Sequence, residues 1–359
     1  MLKIYQKYLI SQFSSVILQI SLIFFSLVFI LNVFEEINFL KESNVNFLYP
    51  LFLTFLNSPV VFFKIFPFIF LISTQFFFLK IMDKNELPVY KLFGLSNFKI
   101  LSTIVSFSFI LGVFIVLIFY NFSAKLKFVY LDLKNDFSND NKYLAVVTEN
   151  GLWIKDEINE SINIINAEKI VEDYLINVSI TQFNPDFKLI KTIRADEVNI
   201  SNYLWIIENP IIGQKQKPNK KMDRLIFETH FNIEKIKGLF SNLYSLNIIE
   251  LNKLKKDYNQ LGYSINEISL HQQKLLSFPI YLSLMTLFAS IIMLNIKQNK
   301  PKVFNLLLGI MLSVIVYYIN FFSGTLAQSN KIPIILSVWL PLIILSILSM
   351  IGMIRINEK

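Results

Sequence analysis

Long apolar runs separated by short charged stretches set the organisation of this chain. Runs at 13–34, 60–79 and 100–122 come first, and runs at 276–296, 303–322 and 334–354 close the sequence. Each reaches the roughly 20 residues that an α-helix needs to cross the hydrocarbon core of a bilayer. A shorter apolar stretch at 51–56 is cut off by Asn57, Ser58 and Pro59, and reads as an interfacial segment ahead of the second span. Between the third and fourth runs lies a polar block, 123–273. Its first part, up to Asp140, is charged and reads as a helical exit from the third span followed by a turn. From Lys142 to Phe231 the texture is that of short strands at 143–148, 152–154, 161–166, 175–181 and 204–207. The turn signals Glu149-Asn150-Gly151, Asn184-Pro185-Asp186 and Glu208-Asn209-Pro210 fall at intervals that suit a sandwich or open barrel. Asn247 then caps a returning helix, with Glu250 three residues on. Leu251, Leu254, Tyr258 and Leu261 share a face of that helix, and Gly262 ends it.

The expected fold is therefore an integral membrane α-helical bundle of six transmembrane helices with an all-β domain of sandwich or open jelly-roll type. Spans one to three occupy 1–122, the β-domain with its flanking helices 123–273, and spans four to six 274–359. The first run is longer than a signal-peptide core, and no small-x-small site follows Phe34, so it is expected to stay in place as a helix.

Composition agrees: 54% of residues are apolar and 36 are Phe. The formal net charge of +8 does not point to nucleic acid, because the cations are placed by topology. Lys3, Lys7, Lys80, Lys84, Lys91, Lys99, Lys297, Lys300, Lys302, Arg355 and Lys359 share one side of the six-span plan. The short loops opposite hold Lys41 and Lys331 beside Glu35, Glu36 and Glu42. The positive-inside bias then puts both termini in the cytoplasm and the 123–273 block outside. With 0 Cys, the outer domain has no disulfides and must stand on its own core.

Catalytic chemistry finds no foothold. No stretch reads G-x-x-x-x-G-K-[ST] or resembles a dinucleotide fingerprint. His230 and His271, the 2 histidines, stand in no metal-spaced cluster, and no Ser-His-Asp pattern is legible. No catalytic residue, metal or cofactor is expected. An ionisable residue at membrane depth is a functional candidate by default. Lys64 lies inside the second span near its outer end, and Lys41 follows the first span, so both are candidates for substrate contact. Snorkelling to the headgroups is the competing reading for Lys64.

The loop between the second and third spans, 84–96, reads Lys-Asn-Glu-Leu-Pro-Val-Tyr-Lys-Leu-Phe-Gly-Leu-Ser. On pattern alone it is a short helix ended by Gly, serving either as a connector or as a docking element for a soluble partner. It resembles the "S-E-L-x-x-x-x-x-x-G-x-S" coupling segment of the lipopolysaccharide-export permeases, the LptF/LptG family, with Asn85 in place of the Ser and with Pro88 inside the helix. Further on, His271 to Pro279 resembles that family's approach to the fourth span, where a basic residue is shortly followed by Pro. Trp339-Leu340-Pro341 resembles the "W-x-P" of the LptG branch. The six-span plan with a β-rich insertion after the third span is similar too, so the resemblance covers nearly the whole chain.

The resemblance implies a permease subunit without catalysis of its own, in the bacterial inner membrane with a periplasmic domain. It implies that Glu86, Leu87, Leu92 and Phe93 meet a cytoplasmic ABC ATPase dimer while Gly94 turns the chain back towards the third span. It further implies a homologous permease half, a single-span periplasmic bridge protein, a soluble bridge protein, and lipopolysaccharide as cargo. In that family basic residues near the outer end of the first span meet lipid phosphates, and Lys41 is the match here. Rival readings are a permease of the lipoprotein-release or cell-division type, a secondary transporter, and a membrane-anchored scaffold. The first has four spans with its outer domain after span one. The second requires broken helices around a midplane ion site. The third needs fewer spans.

Overall fold

The structure, a computed structural model, describes residues 3–41, 46–135, 137, 152–158, 161–214, 217–233, 235–236, 242–260, 263–295 and 302–357. The helices are α1 Ile4–Phe39, α2 Leu48–Asp83, α3 Glu86–Leu92, α4 Asn97–Phe114, α5 Asn121–Asn135, α6 Ile248–Gln260, α7 Asn266–Leu294, α8 Lys302–Gln328 and α9 Ile334–Asn357. A π-helical turn, Ile115–Tyr120, joins α4 to α5. The chain forms two compact units, Met1–Leu126 with Asn266–Lys359, and Lys127–Ile265. Among the described residues, six helices are long and apolar enough to cross a membrane: α1, α2, the α4-to-α5 helix, α7, α8 and α9.

In the first unit α2 is the central element. Of its most apolar stretch 72% is buried within the chain, against 28% for α1 and 11% for α8. The break expected at Asn57-Ser58-Pro59 does not occur, because α2 runs through it as one helix of 36 residues. Pro59 cannot donate to the turn before it. Two hydroxyls bond back within this stretch, Thr54 Oγ1 donating to the Pro50 carbonyl at 2.8 Å and Ser58 Oγ to that of Thr54 at 2.7 Å. Asn32 Nδ2 of α1 donates to Ser58 Oγ at 3.3 Å, so these polar residues bridge two helices instead of ending one. The fourth span likewise begins earlier than its apolar run, at Asn266.

Aromatic rings fill the contacts around α2. Phe63 stacks on Phe278 of α7 with centroids 4.6 Å apart, and Phe77 meets Phe13 of α1 edge-on at 5.3 Å. The crossing of α4 with α7 depends on small groups instead. A Cβ on Gly112 would lie 2.7 Å from the Cα of Pro279, and the Ser108 and Thr286 hydroxyls pair at 2.9 Å.

The second unit holds β1 Leu152–Ile158, β2 Ser161–Ala167, β3 Lys169–Val171, β4 Tyr174–Phe183, β5 Leu189–Asn199, β6 Leu204–Glu208, β7 Ile211–Gln214, β8 Lys217–Lys221 and β9 Arg224–Glu228. They form a 9-stranded sheet in the order β1-β2-β4-β5-β6-β9, with β3 on β4 and β7 between β5 and β8. Every described pairing is antiparallel. The expected strands at 152–154, 161–166, 175–181 and 204–207 lie within β1, β2, β4 and β6, while the one at 143–148 lies outside the described residues. Alternating burial along β1 seats Leu152 and Ile154 in a core shared with Ile165, Leu175, Ile180, Ile193 and the fully buried Trp205. Trp205 Nε1 donates to the Phe231 carbonyl at 2.8 Å. Asp156, on β1, is buried and accepts from Thr229 Oγ1 at 2.6 Å and the His230 amide at 3.1 Å, just past β9. His230 Nδ1 lies 2.8 Å from its other oxygen. The two ends of the strand path are thereby clasped through one carboxylate. The capping box at α6 forms as its residues require: Asn247 Oδ1 accepts from the Glu250 amide at 2.9 Å, and Glu250 Oε2 from that of Asn247 at 2.8 Å.

Candidate functional site

Residues 84–96 leave the end of α2 through Asn85, whose φ of 53° is left-handed, and enter the 7-residue helix α3. Pro88 is tolerated there because the first turn of a helix has no intrahelical acceptor for its amides. The helix ends in a Schellman motif, with Leu95 N donating to the Tyr90 carbonyl and Gly94 N to that of Lys91, both at 3.0 Å. Gly94 has φ +75°, the conformation this motif assigns to glycine. Ser96 then caps α4, its hydroxyl accepting from the Lys99 amide at 3.4 Å.

No residue of α3 is buried. Its two sides nevertheless differ. Glu86, Leu87 and Tyr90 are half-buried, whereas Val89, Leu92 and Phe93 stand exposed, Leu92 at 86% and Phe93 at 81%. Of the residues expected to couple, Leu92 and Phe93 share this exposed stretch, with Gly94 directly after them. Leu87 sits on the other side with Glu86.

The Glu86 carboxylate is closely partnered. Oε1 accepts from the Tyr8 hydroxyl of α1 at 2.9 Å and lies 3.8 Å from Lys84 Nζ, and Oε2 accepts from the Tyr90 hydroxyl at 3.2 Å. Burial, reinforced by the adjacent carboxylate, pushes the Tyr90 hydroxyl above the usual tyrosine range, so it remains a donor. Tyr8 lies 78 positions from Glu86, and nothing in the local pattern of either stretch links them.

The two expected substrate contacts are not brought together with this segment. Lys41 is exposed in the turn that closes α1, and Lys64 is exposed on α2. Lys64 does share a neighbourhood with two residues of α7. It and Lys274 both exert their charge on His271, and Lys274 Nζ sits 3.0 Å from the point where a Cβ on Gly324 of α8 would lie. His271 Nε2 in turn lies 2.9 Å from the Tyr120 hydroxyl in the π turn. Lys274 is the basic member of this group that sequence reading noted only as part of a motif. Its signal was a His and a Lys three residues apart at the start of a span. Trp339 Nε1 donates to Gln273 Oε1 at 3.1 Å, which gives that tryptophan a packing role between α9 and α7. Among the described residues, no group of three or more His, Asp or Glu is placed to hold a metal ion.

No curated protein matches the chain. A family model does: that of the lipopolysaccharide export system permease LptF/LptG, over residues 7–355. A match of that extent, on a chain with six membrane-length helices and an antiparallel β unit, assigns the protein to the LptF/LptG family of lipopolysaccharide export permeases.

Proposed function

We propose that this chain is the transmembrane subunit of an ABC exporter that extracts lipopolysaccharide from the bacterial inner membrane and passes it to a periplasmic bridge. The observation that carries the reading is a short helix with nothing buried, offering Leu92 and Phe93 to solvent beside Glu86, in a family member without a nucleotide-binding motif. Energy then enters from a separate cytoplasmic ABC ATPase dimer that grips residues 84–96, with Glu86, Leu87, Leu92, Phe93 and Gly94 forming or shaping the coupling element. A homologous permease half completes the complex. The β-domain lies in the periplasm and hands the lipid to a single-span bridge protein and a soluble one. Trp339-Leu340-Pro341 favours the LptG branch. Lys41 and Lys64 contact the anionic lipid, and Lys274, which like Lys64 acts on His271, supports a cationic contribution from α7.

The test is Glu86→Lys. The variant is expected to insert normally but to lose its ATPase on purification, or to hydrolyse ATP without moving lipid. Normal ATPase recovery together with normal export would reduce residues 84–96 to a connector and remove the basis of the reading.

A further inference from the structure

The coupling segment is attached to the rest of the bundle by few side-chain contacts, and they are unequal. Its exit is pinned by Asn97, the buried first residue of α4, whose Nδ2 donates to the Ile356 carbonyl near the end of α9 at 3.2 Å. This is a short side chain held between two helices, with no reach to spare. Among the described residues, the one side-chain hydrogen bond from α3 to another helix is that between Tyr8 and Glu86. Here a long, partly exposed side chain meets a carboxylate at the edge of the bundle, a geometry that follows movement of α3. Tyr8 is itself supported from one turn further along α1, where Gln12 Nε2 donates to its oxygen at 3.3 Å, leaving the phenolic proton for Glu86. Tyr90 holds the second carboxylate oxygen from within α3, so the whole short helix turns with Glu86. The helix on the other side of the bond, α1, has 28% of its most apolar stretch buried within this chain.

We propose that Tyr8 is a positioning residue that transmits displacement of the coupling helix to α1, with Glu86 as the shared joint. This rests on the function proposed above and adds the route by which the stroke of the ATPase leaves the docking surface. A charge-assisted hydrogen bond suits the task, since it is directional and its donor survives neutral pH. Leu92 and Phe93, exposed on the same helix, take the push. Tyr8 delivers it to a helix that neither of them touches in any described contact.

The experiment uses the ATPase–permease complex in vesicles of phospholipid and lipopolysaccharide, and measures lipopolysaccharide released per ATP hydrolysed. For Tyr8→Phe, ATPase recovery with the permease is expected to match the native chain, while the ratio falls about tenfold, as fits the loss of one charge-assisted hydrogen bond. A permease that is merely destabilised loses export and stimulated hydrolysis in proportion, leaving the ratio unchanged. Tyr8→Lys, which restores a donor opposite Glu86, is expected to recover most of the ratio. The proposal is overturned if Tyr8→Phe keeps the native ratio, if it sheds the ATPase, or if Tyr8→Lys stays as uncoupled as Tyr8→Phe. Phe93→Ala, outside the joint, is read on ATPase recovery and Tyr8→Phe on the ratio, so the docking reading and the transmission reading fail separately.

Discussion

Phe93→Ala separates docking from folding. In the free permease the Phe93 ring is 81% exposed, and the residue has ordinary backbone angles, φ −84° and ψ 12°. Truncating it removes almost nothing the fold uses, so the permease's own stability should change by no more than about 0.5 kcal/mol. On a partner the same ring goes from water to a packed contact, and full burial of a Phe is worth about 2–3 kcal/mol. At 1.4 kcal/mol per tenfold, association with the ATPase should weaken roughly 30- to 140-fold. Leu92, 86% exposed, is the companion position and should lose a comparable amount when replaced by Ala. The assay is equilibrium binding of purified ATPase to permease held in nanodiscs, with thermal unfolding of the permease alone as the control. An affinity within threefold of the native value would refute the claim that this exposed stretch is the docking surface. A drop of several degrees in the melting temperature would show instead that Phe93 belongs to the fold.

Gly112→Val should destabilise the bundle by about 1–3 kcal/mol, since even a Cβ would lie 2.7 Å from a backbone atom of Pro279 and no flexible side chain can yield; thermal unfolding in detergent is the measurement. Asp156→Ala should cost about 3 kcal/mol locally, because it strips the acceptor from the buried Thr229 hydroxyl and the His230 amide together. Hydrogen exchange of the intact chain should then show the His230 amide opening roughly 100-fold more often, while α2 remains protected.

Much of the fold could be read directly because bilayer thickness acts on composition over long windows. Six apolar runs and the lysine bias needed no local detail. The misplaced boundary at Pro59 shows where that reasoning stops: a Pro beside Asn and Ser signals a break in water, but here all three are buried inside α2 and Asn32 of α1 bonds Ser58 across to it. In the β unit, the strands with apolar alternation were visible. β5, reading Leu-Ile-Lys-Thr-Ile-Arg-Ala-Asp-Glu-Val-Asn, buries Ile193 and Val198 and leaves much of its length polar, so its pairing with β4 carries information that its own residues lack. β8, Lys-Pro-Asn-Lys-Lys, has no apolar residue at all. The candidate site divided the same way. The helix, its Gly terminus and its protruding apolar pair are local and were legible. The partners of Glu86 were only half so: Tyr90 is one turn away, but Tyr8 belongs to another helix and only tertiary packing brings it near.

The π turn at Ile115–Tyr120 makes the third span one residue richer than its contacts require. Along an α-helix each residue adds about 100°, so seven steps from Gly112 return to within about 20° of its direction, while eight steps overshoot by about 80°. Tyr120 stands eight steps on, yet it bonds His271 of the very helix that Gly112 packs against. The wider turn absorbs the surplus. Losing any one apolar residue from 115–119 would therefore restore plain α geometry and keep both contacts seated. Relaxing the turn at constant length would instead swing Tyr120 off His271 and leave Gly112 where it is. The span thus carries a rotary joint at mid-length, and its setting is held by the count of residues, not by their chemistry.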